Sequence, residues 1–197
     1  MKYRKIIFVM CIIIFFIVIL CRPFIEEKVA IADKGLDFFR DSKGYSFEYN
    51  KKNNVENCIL KLDFENPEES VGTVLYERNG SAITVSEIIE KTDTDVVISF
   101  VASGDYDFVK GEGYFISPII FVDTQDHRWD MQEGKMKVSP EDIYICRYSG
   151  VTNAFNGLTN EFIVRISREN WREELKDEDR QVLLQFYELG EINWCRE

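Results

Sequence analysis

TVLYERNGSAITV, residues 73–85, is the clearest signature of regular structure in the sequence. Asn79 and Gly80 separate two arms that are rich in β-branched and apolar residues. An Asn-Gly pair favours the type I′ turn, because both central residues of that turn adopt positive φ. The stretch therefore predicts an antiparallel β-hairpin.

Alternation of apolar and polar residues extends this pattern on both sides of the hairpin. Residues 95–102, DVVISFVA, are apolar on both faces and are expected to form a central strand. The other predicted strand regions are residues 45–49, 58–64, 106–110, 114–122, 143–149 and 161–167. Residues 122–131 are predicted to form a strand–turn–strand unit. Pro118 indicates a bulge or an edge position within the region 114–122. Short strands with frequent turns are typical of an antiparallel β-sandwich or open barrel, so residues 44–197 are predicted to form one mainly β domain.

Residues 180–189, RQVLLQFYEL, have a different pattern. Acidic residues at 177–179 precede the segment and Gly190 follows it, as at the two ends of a helix. Val182, Phe186 and Leu189 recur at intervals of four and three residues, which predicts a C-terminal helix packed on a sheet. A strand is the alternative, since VLLQFY is also rich in residues that favour β-structure.

The N-terminal region contains the unbroken apolar run IIFVMCIIIFFIVILC, residues 6–21. Sixteen helical residues span about 24 Å, and Arg22 can extend the segment to residue 25 by placing its charge at the interface. Lys2, Arg4 and Lys5 precede the run, which favours a cytoplasmic N-terminus. Residues 1–5 are therefore predicted to be cytoplasmic, residues 6–25 to be a transmembrane anchor, and the β domain to be extracytoplasmic.

A cleaved signal peptide is the alternative to this anchor. Ala30-Ile31-Ala32 resembles a cleavage site, but it lies well beyond the apolar run and behind three charged residues. Cys21 follows Leu20, where a lipoprotein signal would have a small residue. An uncleaved anchor is therefore favoured.

Residues 26–43 are predicted to be a juxtamembrane helical connector between the anchor and the β domain. A helical stripe runs through this region, although Gly35 weakens it. The stripe consists of Ile25, Val29, Ala32, Leu36 and Phe39.

Charge limits the partners of the domain. The first 22 residues contain four basic residues and no acid, so the remaining 175 carry 20 Lys+Arg against 35 Asp+Glu, a formal net charge of −15. Such a domain repels phosphate backbones, which excludes nucleic-acid binding, and it is compatible with cationic partners or with solubility alone. No nucleotide-binding loop or metal signature occurs in the sequence, and no cofactor is expected.

Three cysteines lie outside the apolar run, so at most one disulfide can form among Cys58, Cys146 and Cys195. Cys58 and Cys146 share strand faces with apolar or aromatic residues and are expected to fill the core. Cys195 is expected to be the most exposed of the three.

The single histidine lies in the only cluster that could support catalysis. His127 with Asp123, Asp126 and Asp130 could hold a metal or act as a general base flanked by carboxylates. The same residues are ordinary at a hairpin tip, which is the favoured interpretation. Asp105, Asp107 and Glu112 offer oxygens for calcium, but three ligands are too few and a solvated strand face is preferred.

Aromatic residues in the central hairpins supply the candidate binding surface. Tyr106, Tyr114 and Trp129 could stack on a glycan or form the centre of a protein interface if they were exposed together; filling the core is the alternative.

Three functions remain open at this point. An envelope binding or interaction module is favoured, because no catalytic motif is present. The alternatives are a tethered envelope hydrolase that uses His127 and nearby carboxylates, and an acidic module that inhibits a cationic protein.

Overall fold

A computed structural model gives the structure of the chain, which is mainly β with one long apolar helix at its N-terminus. The described residues are 2–53, 55, 58–118, 120–123, 128–131, 134–138, 143–146, 158–167, 181–186 and 188–197. The prediction of a mainly β, antiparallel fold is confirmed.

Helix α1 extends from Lys2 to Lys34 and includes Pro23. Its segment Val9–Lys34 contains an 18-residue window with a mean hydropathy of 2.5, and no part of that window is buried against protein. The helix is therefore long and apolar enough to cross a membrane. Gly35 follows at φ 56°, a value that glycine adopts readily, and the chain bends there into helix α2, Leu36–Asp41.

Fourteen strands are present in the described part of the chain. They are β1 Tyr45–Asn53, β2 Ile59–Asp63, β3 Val74–Arg78, β4 Ser81–Lys91, β5 Asp95–Ser103, β6 Asp105–Asp107, β7 Glu112–Ser117, β8 Ile120–Asp123, β9 Arg128–Met131, β10 Gly134–Val138, β11 Ile143–Cys146, β12 Thr159–Ser167, β13 Gln181–Phe186 and β14 Glu188–Arg196. A 3₁₀ turn, Pro67–Ser70, follows β2.

These strands form three four-stranded antiparallel sheets and one hairpin. Sheet 1 has the order β1-β14-β7-β6, sheet 2 the order β11-β10-β13-β2, and sheet 3 the order β12-β5-β4-β3. Strands β8 and β9 pair with each other. The described strands do not close into a barrel.

The predicted hairpin is confirmed in sheet 3. Asn79 (φ 50°) and Gly80 (φ 77°) join β3 to β4, and both have the positive φ that a type I′ turn requires. The predicted central strand is also confirmed, because β5 lies between β12 and β4. Its residues Val96 to Phe100 are all buried.

The core joins sheets 2 and 3 through aromatic packing. Phe100 of β5 stacks on Phe162 of β12 with ring centroids 5.2 Å apart, and Phe186 of β13 meets both rings edge-on at 5.4 and 5.7 Å. All three rings are fully buried, and each contributes about 1.5–3 kcal/mol relative to an exposed side chain. The aromatic content of the sequence is thus used in part for core packing.

The predicted C-terminal helix is wrong. Residues 181–186 form strand β13, which pairs with β2 on one side and β10 on the other, and residues 188–196 form strand β14. The helical spacing of Val182, Phe186 and Leu189 was misleading because β13 is central in its sheet. A central strand carries apolar residues on both faces, so such a spacing can occur without a helix. Pairing with two neighbouring strands satisfies backbone groups on both sides of β13.

Pro118 lies between two strands rather than inside one. Strand β7 ends at Ser117 and β8 begins at Ile120, so the apolar run 114–122 is two strands. Proline lacks the N–H that a continuous strand would donate, and here it ends β7.

Candidate functional site

One end of the β domain is bound directly to helix α1. Glu27 of α1 meets Tyr45 at the start of β1, Tyr106 of β6 and Arg196 at the end of β14. We call these four residues the docking cluster. Neighbouring positions of sheet 1 bring the three domain residues together, since Tyr45 is paired with Arg196 in the β1–β14 register.

Charge-assisted hydrogen bonds hold the docking cluster together. Nη2 of Arg196 donates to Oε1 of Glu27 at 2.6 Å and to Oε2 at 2.8 Å. The hydroxyls of Tyr45 and Tyr106 lie 2.9 Å apart, and both donate to Oε1 of Glu27, Tyr106 at 2.9 Å. Hydrogen bonds to charged groups are stronger than neutral ones, so this cluster fixes α1 to the sheet.

The surroundings of Tyr106 in the docking cluster keep its phenol protonated. Burial, followed by the hydrogen bonds with Tyr45 and Glu27, raises the pKa of Tyr106 far above its ordinary value. Because the phenol stays protonated, its O–H can donate a hydrogen bond to the carboxylate of Glu27. The side chain of Glu27 is only 16% exposed, so its charge depends on these partners.

Apolar packing continues the contact on both sides of the cluster. Phe39 of α2 stacks on Trp194 of β14 with centroids 4.4 Å apart. Lys28 places its ammonium group 4.6 Å from the ring centroid of Phe108. Ile31 and Leu36 are buried, whereas Val29 and Ile25 of the predicted stripe are exposed. The part of the stripe in α2, Leu36 and Phe39, therefore packs on the domain, whereas the buried residue of the connector in α1 is Ile31, which lies outside the stripe.

An open cleft of about 640 Å³ lies along sheet 1. It is the candidate ligand site of this chain, because its volume is in the range of small-molecule and peptide pockets. It is lined by Ser46, Phe47, Glu48, Asn79, Asp105, Glu112, Gly113, Tyr114, Asn193, Trp194 and Cys195. Sequence reasoning missed it, since its residues come from four strands and one turn.

The register of sheet 1 explains which side chains share the cleft. Paired residues of antiparallel strands point to the same face, and Glu48 pairs with Asn193, which in turn pairs with Tyr114 and through it with Asp105. Residues one position along the strands, such as Trp194 and Tyr106, point to the opposite face, where α1 and α2 pack. One face of sheet 1 thus carries the docking cluster and the other carries the polar side chains of the cleft, while Phe47, Gly113 and Trp194 line the cleft from the positions in between.

The cleft is acidic. Glu112 lies 3.2 Å from the ammonium group of Lys110, whereas the carboxylates of Glu48 and Asp105 have no ion-pair partner among the described residues. The amide of Asn193 could donate and accept hydrogen bonds beside them. Unpaired carboxylates at a concave surface favour a ligand that carries positive charge.

A buried ion pair supports the cleft from one end. Glu191 is buried, and its carboxylate lies 2.9 Å from Nζ of Lys52 and 3.6 Å from Nη1 of Arg78. Burial alone would raise the pKa of Glu191, but the interactions with Lys52, Tyr114 and Arg78 outweigh it and hold that pKa below its ordinary value. Arg78 adjoins Asn79, so this contact holds the β3–β4 turn beside the cleft.

The three predicted ligand-binding aromatics do not form a common exposed surface. Tyr106 is 8% exposed and belongs to the docking cluster, while Tyr114 is 4% exposed and faces the cleft. They point to opposite faces of sheet 1. The backbone of Trp129 lies in β9, and its side chain is outside the described residues, so its binding role stays a prediction.

The candidate catalytic cluster also falls largely outside the described residues. Asp126 and His127 are not among them, and only the backbones of Asp123 and Asp130 are, in paired strands β8 and β9. The hydrolase interpretation therefore stays a prediction. Within the described part of the chain, no group of three His, Cys, Asp or Glu side chains is arranged to hold a metal ion.

The cysteines of the described side chains are free thiols. Cys58 is fully buried, as predicted, and Cys195 is exposed, with Sγ 2.8 Å from Oγ of Ser46. Burial raises the pKa of the Cys58 thiol to about 12. The side chain of Cys146 lies outside the described residues, so the disulfide question stays open for that residue.

Comparison with protein-family models, with curated proteins and with solved structures finds no match to this chain.

Proposed function

We propose that the chain is a single-pass membrane protein whose extracytoplasmic β domain binds a partner that carries positive charge. The exposed apolar segment 6–25 would be the anchor, and the basic residues before it favour a cytoplasmic N-terminus. The partner that fits best is a segment of another protein that contains lysine or arginine. Binding rather than catalysis is favoured because the sequence has no catalytic motif.

The acidic cleft of sheet 1 is the observation that carries this proposal. Glu48 and Asp105 present carboxylates that no described cation neutralises, and Asn193 adds a polar group between them. A lysine or arginine side chain that entered the cleft would pair with these groups. Each such contact is modest at a solvent-accessible surface, so affinity would depend on several together.

The β-sandwich is the arrangement of sheets that we favour for this domain. Oγ of Ser81, in sheet 3, accepts a hydrogen bond of 3.0 Å from the backbone N–H of Ile116, in sheet 1. Sheets 2 and 3 are connected by the contact between the rings of Phe186 and Phe100. Face-to-face packing of sheets 2 and 3 around one core would account for the aromatic contacts, while the hydrogen bond of Ser81 joins sheet 3 to β7 of sheet 1.

Charge-neutral substitution in the cleft tests the binding proposal. The double variant E48Q/D105N removes two carboxylates without changing their size, and E68Q/E69Q removes two exposed carboxylates from the 3₁₀ turn as a matched control. A fluorescent oligolysine peptide is titrated into the full chain in detergent, and binding is followed by anisotropy.

The two variants are expected to differ. E48Q/D105N should weaken peptide binding about tenfold, equivalent to about 1.4 kcal/mol, while the control should bind like the parent. Equal weakening in both variants would mean that the peptide responds only to net charge, and the cleft would lose its role. Binding that is unaffected in both would exclude the cleft directly.

A further inference from the structure

The turn between β6 and β7 holds an apolar side chain fully in solvent. Val109 is 91% exposed, although it lies in a tightly hydrogen-bonded turn. Oδ1 of Asp107 accepts from the N–H groups of Val109 at 2.9 Å and Lys110 at 3.1 Å, and Gly111 donates to the Asp107 carbonyl at 2.7 Å. The side chain of Val109 is therefore presented outward by a defined backbone.

This turn is next to the part of α1 that emerges from the apolar segment. Lys28 contacts Phe108, the residue before Val109, and lies three residues beyond Ile25, where the proposed anchor ends, which corresponds to about 4.5 Å of helix. Side chains of a helix tilt towards its N-terminus, which is here the apolar end. Since the head-group layer adds about 5–7 Å to each side of the hydrocarbon core, the turn lies at the level of that layer.

The charges around Val109 suit an uncharged lipid surface. Lys110 lies 3.4 Å from Asp107 and 3.2 Å from Glu112, so the basic residue of the turn is already paired with acids. Contact with lipid would therefore depend on apolar burial and would not require anionic head groups. Phe24 and Ile25 of α1 are also exposed and would continue the same apolar surface into the bilayer.

We propose that the β6–β7 turn is a second membrane contact, in which Val109 inserts into the head-group layer beside α1. This inference rests on the proposed membrane anchor. Burial of a single valine is only modestly favourable, but α1 keeps the turn at the surface, so the contact needs no separate association step. Together with α1, the contact fixes the rotation of the domain about the helix axis.

Lipid quenching of a fluorescent label tests this contact in the intact chain. A parent is made in which Cys58, which is buried, is the one cysteine that remains; the replacements are C11A, C21A, C146S and C195S. Three single-cysteine additions, V109C, D93C and I14C, are labelled with bimane and placed in phosphatidylcholine nanodiscs. A nitroxide on the lipid head group or on the acyl chain then serves as quencher.

Asp93 is the matched exposed position, in the turn after β4. Strand β4 has eleven residues and is about 36 Å long, so Asp93 lies at the opposite end of this strand from the β3–β4 hairpin. I14C reports on the anchor itself. We expect head-group quenching at position 109 to be several-fold stronger than at position 93, and acyl-chain quenching at position 14.

The outcomes separate the two proposals. Quenching at position 14 without quenching at position 109 would overturn the second contact and leave the anchor intact. Absence of quenching at position 14 would overturn both. A label at position 109 that is protected from quencher and from solvent would indicate a protein partner instead, and would also overturn the lipid contact.

Discussion

Arg196 donates to both carboxylate oxygens of Glu27, a residue 169 positions earlier in the chain. This ion pair joins the end of β14 to the helix that leaves the apolar segment. The hydroxyls of Tyr45 and Tyr106 complete its hydrogen bonding. This charged contact with four participants thus helps to set the orientation of sheet 1 relative to α1, together with the apolar packing on either side of it.

Replacement of Glu27 by glutamine should destabilise the domain. E27Q keeps the size of the side chain but removes the charge that Arg196 and both hydroxyls recognise, and we expect a loss of about 1–3 kcal/mol. E26Q is the matched control, because Glu26 is exposed and pairs only with Arg22 along the helix. Denaturant unfolding of the full chain in detergent measures both, and the E27Q/R196Q double variant should be less destabilised than the sum of the single variants.

Gly113 should not tolerate a methyl group. A Cβ at this position would lie 2.3 Å from Cζ2 of Trp194, whose indole crosses the glycine. G113A is therefore expected to cost about 1–3 kcal/mol through overpacking, whereas S46A, at an exposed position of the same sheet, should cost little. Thermal unfolding of the two variants compares them. Equal melting temperatures would contradict this packing of Trp194.

Glu191 should contribute to the acid sensitivity of the domain. Its pKa is held below the ordinary value of 4.5, so its ion pairs stabilise the fold above that pH and are lost as the pH falls through the lowered pKa. E191Q should be less stable than the parent at neutral pH, and the difference should shrink below pH 4.5. Free energies of unfolding measured across this range check the trend, with E77Q at an exposed site of β3 as control.

The thiols of Cys58 and Cys195 should differ sharply in reactivity. Cys58 is buried and its pKa is raised to about 12, so almost none of it is thiolate at neutral pH, whereas Cys195 is exposed. A maleimide added to the folded chain should modify Cys195 and reach Cys58 only after unfolding. Peptide mapping by mass spectrometry identifies the modified residues; fast modification of Cys58 in the folded chain would contradict its burial.

Local sequence signals predicted the parts of the fold that depend on neighbouring residues. Asn79-Gly80 specified its turn because positive φ at two successive positions suits few other residues. The segment 180–189 was mispredicted because a strand with neighbours on both sides carries apolar residues on both faces, as at Leu183 and Leu184, and periodicity cannot then distinguish it from a helix.

The cleft and the docking cluster could not be predicted from local pattern. Glu27 looked like one of several charged residues after the apolar run, and Arg196 carried no signal of its own. Their contact depends on the pairing of β1 with β14, which joins residues about 150 positions apart. The opposite orientations of Tyr106 and Tyr114 likewise follow from the register of β6 with β7, which fixes the face of each side chain.

The position of β14 between β1 and β7 has a consequence for how the domain is made. In the topology proposed above, strand β1 would leave the membrane early and would remain without its neighbour until a segment some 150 residues later had crossed as well. Such distant pairing is slow to form, and an unpaired strand close to a lipid surface is prone to associate with other chains. During export, newly made molecules would therefore benefit from a chaperone that shields Tyr45–Asn53 until β14 arrives.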